Sequence, residues 1–152
     1  MATILLPQNK KSAPLQAHNA ALDLLESFES IAIIGWVSCG QPIDIFTQEE
    51  RIEVPTRLAR KKTYALRVRG DSMKDANILD GDVVVIEQSQ TAENSEKVIV
   101  RINQKEVTLK TLRLDQDGVK LLPANSSMRP IVLNNADIEV LGIVRGVIRD
   151  RI

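Results

Sequence analysis

From residue 31 onward the chain is written in short β-branched and aliphatic runs, each closed by turn-forming residues. Ile31 to Val37, Tyr64 to Arg69, Val83 to Ile86, Val98 to Ile102, Val107 to Leu114, Val119 to Leu122, Ile131 to Leu133 and Ile138 to Ile148 each read as a strand. Asp80-Gly81-Asp82, Asp117-Gly118 and Pro123-Ala124-Asn125 punctuate them with residues that suit tight turns. So many short runs predict a mostly β fold, a barrel or a sandwich. The opening of the chain has another texture. Gln8-Asn9-Lys10-Lys11-Ser12 and Pro14 predict a mobile arm over residues 1 to about 14. Ala21, Leu24, Leu25 and Phe28 recur at helical spacing, with Asp23, Glu26 and Glu29 on the other side, and predict one short amphipathic helix between Leu15 and Phe28. The expected organisation is an N-terminal arm and helix over residues 1–30, followed by one β domain over residues 31–152.

Composition narrows the function classes. With 152 residues, 43% of them hydrophobic and 26% charged, the chain fits one ordinary globular domain with a real core. Twenty basic and twenty acidic side chains cancel, leaving no net positive field to hold a nucleic-acid backbone, so direct DNA binding is not expected. Cys39 is the single cysteine and His18 the single histidine, which excludes an internal disulfide and an all-nitrogen-and-sulfur zinc site. No metal and no cofactor are expected. A reducing cytoplasm fits this cysteine usage. No apolar run approaches the roughly 20 residues of a membrane span, and Met1 to Leu6 is too short for a signal-peptide core of about 7 to 15 residues.

Two places carry candidate chemistry. Gly70-Asp71-Ser72-Met73 follows a predicted strand, and Lys110 lies inside an otherwise apolar one. His18 sits far from both, in the N-terminal segment, so a Ser-His-Asp triad has little support, whereas a serine activated by lysine remains open. In Glu106-Val107-Thr108-Leu109-Lys110-Thr111-Leu112-Arg113-Leu114, the even positions from Thr108 share one face, so Lys110 is expected to point with Leu112 and Leu114. Desolvation lowers a lysine pKa; a fall from about 10.4 to near 7 is roughly three units, about 4 kcal/mol, within documented shifts. Such a lysine can take a serine proton near neutral pH. The plainer alternatives are that Lys110 snorkels from an edge strand into water and that Gly70-Asp71-Ser72 is only a turn. A thiol nucleophile at Cys39 is a further alternative, but it lacks a credible base.

Several ordered motifs then point to a family. Tyr64-Ala65-Leu66-Arg67-Val68-Arg69-Gly70-Asp71-Ser72-Met73, Ile78-Leu79-Asp80-Gly81-Asp82, Val107-Thr108-Leu109-Lys110, Leu122-Pro123-Ala124-Asn125 and Gly142-Ile143-Val144-Arg145-Gly146-Val147-Ile148-Arg149 closely resemble the LexA and UmuD family of self-cleaving SOS proteins, the S24 peptidases. The resemblance covers about residues 31 to 150. It implies the family's protease-domain β fold, Ser72 as nucleophile, Lys110 as general base, and an oxyanion site at the backbone amides near Ser72 and Met73. It also implies that the substrate is the chain itself. Ile34-Gly35-Trp36-Val37-Ser38-Cys39-Gly40-Gln41-Pro42 matches the family's cleavage segment, with the scissile bond between Cys39 and Gly40. Small side chains there leave the carbonyl open, Ile34 and Val37 can anchor an extended segment, and tethering supplies a high effective concentration. The plainer alternative is that Cys39-Gly40 is a turn between two strands.

The N-terminal region departs from a complete repressor. A winged helix-turn-helix needs three helices and a basic face, whereas residues 1–30 offer one helix, and Lys10 and Lys11 are the only Lys or Arg before the expected cut. Ile33-Ile34-Gly35-Trp36-Val37 and Glu53-Val54-Pro55 are more similar to LexA proteins, and Cys39-Gly40 with the short arm to UmuD proteins. The resemblance to the UmuD branch is preferred. It implies cleavage stimulated by a RecA-like filament, a homodimer, and a trimmed product from Gly40 onward serving as a subunit of an error-prone Y-family DNA polymerase in SOS mutagenesis. The alternatives are a LexA-like transcriptional repressor without its helix-turn-helix, and a non-cleaving dimeric interaction module. The strand Ile138 to Ile148 is a candidate dimer interface or, equally, an internal core strand.

Overall fold

The computed structural model describes residues 27–38, 41–60, 62–133 and 137–149. In chain order the strands are β1 (Phe28–Ser38), β2 (Asp44–Pro55), β3 (Thr63–Arg69), β4 (Val83–Gln88), β5 (Lys97–Ile102), β6 (Glu106–Asp115), β7 (Gly118–Leu122), β8 (Ile131–Leu133) and β9 (Ile138–Ile148), with 3-10 turns at Thr56–Leu58 and Lys74–Ala76. They form one sheet in the order β2-β1-β3-β4-β9-β5-β6-β7-β8. The pairings are antiparallel except for β1 with β3. The mostly β fold expected from the hydrophobic runs is the one observed.

Two expectations need correcting. β2 was not anticipated, because its sequence, Asp-Ile-Phe-Thr-Gln-Glu-Glu-Arg-Ile-Glu-Val-Pro, is largely polar. Among the described residues it is an edge strand, with only Val54 fully buried, so its charged positions suit an edge and hide the strand signal. Phe28, expected to close a helix, instead opens β1 and pairs with Pro55. Ser27, expected in the same helix, is irregular and its carbonyl accepts from the Thr56 amide at 2.9 Å; the remainder of that helix and the arm lie outside the described residues.

Strand alternation divides the apolar side chains into clusters on the two faces of the sheet. In β4, Val83 and Val85 join Ile31, Ile33, Val54 and Ala65, while Val84 and Ile86 join Val37, Leu66, Val68, Met73, Ile78, Ile99, Val107 and Leu109. In β5, Ile99 belongs to that second, central cluster, while Val98, Val100 and Ile102 pack with Leu112, Val119, Leu121 and Ile143 on the opposite face. Each fully buried Leu, Ile, Val or Met contributes about 1.5–3 kcal/mol relative to exposure.

A bulge in β1 lets one strand serve two clusters. Ile31 and Ile33 face one side, but between Ile33 and Trp36 β1 carries one residue more than β3, and Val37 faces the central cluster on the other. Gly35 fits here because a Cβ would collide with the Asp44 carbonyl oxygen. The sheet also coils far enough for Gln41, just beyond β1, to form an isolated antiparallel bridge with Val107 of β6.

β9 is hydrogen-bonded on both sides, to β4 and β5. Of its two possible roles, the internal strand is the one seen, and its edges are not open to a second chain. Just beyond it, Arg149 reaches back to the turn before β4. Nε meets Asp82 Oδ1 at 2.8 Å and Nη2 meets Asp82 Oδ2 at 2.9 Å.

Candidate active site

β3 ends at Arg69, and the chain turns at once. Gly70 takes a φ of +96°, a conformation that disfavours other residues, and its amide donates to Asp80 Oδ1 at 2.8 Å. Ser72 follows, half-buried, and Met73 then drops into the central cluster at 1% exposure. The Lys74–Ala76 turn ends at Asn77, in the left-handed region with a φ of 58°. Asp82, fully buried, accepts from the Leu79 amide at 2.7 Å and closes the loop against β4. The serine therefore sits on a short loop anchored at both ends.

Lys110 occupies an interior strand, β6 between β5 and β7, and is 1% exposed. The snorkelling alternative is thereby overturned: the strand is not an edge and the side chain does not reach solvent. Lys110 lies opposite Val98, and Thr108 opposite Val100, on the face that carries Leu112. Leu114, expected on that face, is 42% exposed at the end of the strand. The Lys110 amine donates to Thr108 Oγ1 at 2.7 Å and to the Leu109 carbonyl at 3.2 Å. Burial penalises the charged form of such an amine.

Two connections bring the serine loop and the lysine strand into one neighbourhood. On one side, Ser38 pairs with Arg69, three residues before Ser72, while Gln41 bridges Val107, three residues before Lys110. Three residues of extended chain span at most about 11 Å. On the other side, Leu122 pairs with Thr111, next to Lys110, and the chain leaving β7 runs directly onto the serine loop. There the Asn125 side-chain amide donates to the Asp71 carbonyl at 2.8 Å, and the Asp75 amide donates to the Ala124 carbonyl. The Ser126 amide donates to Asp75 Oδ2 at 2.8 Å, and the Ala124 amide meets Met73 Sδ at 3.4 Å.

Cys39 and Gly40 lie outside the described residues. Of the expected anchors of that segment, Val37 is buried in the cluster that contains Met73, Val107 and Leu109, and Ile34 packs against it, half-buried. Among the described residues, the amides of Ser72 and Met73 make no hydrogen bond. No cluster of His, Cys, Asp or Glu among the described residues could hold a metal ion, and no helix among them is long and apolar enough to cross a membrane.

Two contributors carried no role in the sequence reading. Thr108 would follow from the period of two in β6, which places it beside Lys110 on one face. Asn125 stood in a turn signal after β7, and nothing local to it could reveal a partner 54 positions earlier in the chain.

Comparison with known proteins adds an independent line. Residues 32–145 match the Peptidase S24-like family. Over 124 residues the chain is 41% identical to a LexA repressor of Alcanivorax borkumensis, covering 80% of this chain and 60% of that protein. Over 138 residues it is 39% identical to a LexA repressor of Halalkalibacterium halodurans, covering 89% of this chain and 66% of that protein. A LexA repressor of Shouchella clausii is 40% identical over 126 residues, 82% of this chain and 60% of that one. The chain thus spans somewhat less than two thirds of the length of these relatives.

Proposed function

The chain belongs to the Peptidase S24-like family, and from that premise we propose that it is a self-cleaving serine peptidase in which Ser72 and Lys110 cut the bond between Cys39 and Gly40. One observation carries this reading: the residues flanking that bond are held by the strand that leads into the Ser72 loop and by the strand that bears Lys110, Ser38 beside Arg69 and Gln41 beside Val107. The buried anchor Val37 supports it, since the segment is held in the same apolar cluster as the neighbours of Ser72 and Lys110.

The chemistry runs in two halves. A neutral Lys110 amine removes the Ser72 hydroxyl proton as Oγ bonds to the Cys39 carbonyl carbon, and the oxyanion is stabilised by the Ser72 and Met73 amides. The tetrahedral intermediate collapses, the C–N bond breaks, and Lys110 returns the proton to the departing Gly40 amine. Water then attacks the ester joining Cys39 to Ser72, with Lys110 again as base, and releases the Cys39 carboxylate and the free serine. Tethering of the substrate compensates for a slow nucleophile. Lys110 is buried, and burial penalises the charged form of an amine, which favours the neutral base this step needs.

In its biological setting the chain acts as the damage-responsive switch of a LexA-like regulator, dimeric and triggered by a RecA-like filament on single-stranded DNA. The matched relatives are named for repression, which favours this role over the UmuD-like one with its Y-family polymerase. The Cys39-Gly40 dipeptide is the feature that keeps the UmuD-like role as a second reading.

Incubating the purified protein from neutral to mildly alkaline pH, with and without such a filament, and weighing the fragments tests the proposal. Two fragments meeting at Cys39 and Gly40, absent in Ser72→Ala, are expected. An intact chain under all conditions would leave a non-cleaving interaction module.

A further inference from the structure

We infer that Asn125 is a positioning residue for the proposed self-cleavage, holding the Asp71–Ser72 peptide so that the Ser72 amide faces the developing oxyanion. The inference rests on the dyad reading above. A peptide unit is planar, with its C=O and N–H pointing in opposite directions, so whatever holds the Asp71 carbonyl also aims the Ser72 N–H. Asn125 Nδ2 donates to that carbonyl at 2.8 Å, and the Asn125 side chain is itself fixed. Its Oδ1 accepts from the Ser127 amide at 3.0 Å and from the Ser127 hydroxyl at 2.6 Å. At 7% exposure, little water competes for these bonds.

The two ends of the amide group do different work. Oδ1 closes the local turn, whose Met128 amide also returns to the Asn125 carbonyl at 3.0 Å. Nδ2 alone reaches across to the serine loop. Just beyond Ser72, Ala124 and Ser126 hold Asp75, so the clamp grips the loop on both sides of the serine. A bond from Asn125 is suited to setting one peptide plane because the flanking contacts already fix where the loop lies.

Asn125→Asp separates the two roles. The carboxylate keeps an acceptor for Ser127 but replaces the donor facing Asp71 with a second acceptor, which repels the carbonyl. The cleavage rate of the full chain is measured against pH, with thermal unfolding alongside. A variant that unfolds close to the wild-type temperature, cleaves about 10- to 100-fold more slowly at the alkaline plateau and keeps the wild-type midpoint of the pH–rate curve is expected. An undiminished plateau, or a loss accompanied by a shifted midpoint, would overturn the inference, the second because it would mean that Asn125 acts through Lys110. If Asn125→Asp loses its cooperative unfolding, Asn125→Ser, which keeps a hydroxyl near Ser127 but is too short to reach Asp71, is judged by the same criteria. Cleavage that persists in Ser72→Ala would overturn the dyad reading and this inference together. Cleavage that needs Ser72 yet ignores both Asn125 variants would overturn the inference alone.

Discussion

Asp82 and Arg149 face each other across the end of the sheet in a two-point ion pair, with the carboxylate wholly buried and the guanidinium side chain 37% exposed. Arg149 Nη2 also reaches the Asn77 carbonyl at 3.2 Å, so one side chain ties the last strand to the turn that follows Ser72. The paired carboxylate in turn raises the Arg149 pKa above its ordinary value.

Removing one partner of such a pair leaves a buried charge with less compensation, and this can cost more than the pair itself contributes. Arg149→Met should therefore lower Tm clearly. Arg101→Met, which breaks the 2.7 Å pair with the more exposed Glu139, should change it little. Adding Asp82→Asn to Arg149→Met should recover part of the loss. Equal Tm values for the two single variants would count against this view of the pair.

Lys110 should show function and stability pulling apart. Lys110→Met keeps the volume and removes the cost of burying an amine, so it should abolish cleavage by at least about 100-fold while leaving Tm unchanged or raised. Lys110→Arg should also be inactive at every pH tested, because a guanidinium does not give up its proton. A cleaving Lys110→Met variant would remove this residue from the chemistry.

Alkali should first help and then harm. On the proposed dyad, cleavage should rise with pH, because the base must be neutral to accept the serine proton. Burial raises the Tyr64 phenol above its ordinary value of about 10. A group with a raised folded pKa contributes its full stability below the unfolded pKa and loses it as pH rises through the folded one. Stability should therefore fall above pH about 10, and Tyr64→Phe should flatten the decline of Tm on that side. An identical alkaline decline in Tyr64→Phe would place its cause elsewhere.

Gly35→Ala tests the bulge. The added methyl meets the Asp44 carbonyl, which belongs to the backbone of a paired strand and yields little. Overpacking of this kind costs about 1–3 kcal/mol, readable in urea unfolding. Because the bulge turns Val37 toward the central cluster, cleavage should slow even where the variant remains folded. An unaffected rate would separate the bulge from the cleavage segment.

Much of the fold was legible because most strands obey the simplest rule. Ile131–Leu133 and Ile138–Ile148 emerge with the bounds that their apolar runs suggest, and the others differ at their ends. β2 was illegible for a physical reason: an edge strand needs only one sparse apolar face, and its run of Gln48, Glu49, Glu50 and Arg51 looks like a loop. The motifs around Ser72 and Lys110 carried the family, because they combine local turn chemistry with one out-of-place charge. What holds these motifs together is not local. The Asn125 bond to Asp71 and the bridge from Gln41 to Val107 join distant parts of the chain that meet only after the sheet has coiled.

β1 lies between β2 and β3, so a cut beyond Ser38 would break a covalent link without undoing either ladder of hydrogen bonds. Scission and separation would then keep different clocks. A denaturing gel would report the first at once, while under native conditions the nicked chain would keep its original mass until an interior strand was drawn out. Any signal that depends on the parting of the two pieces would be timed by that extraction, and only indirectly by the chemistry of the serine.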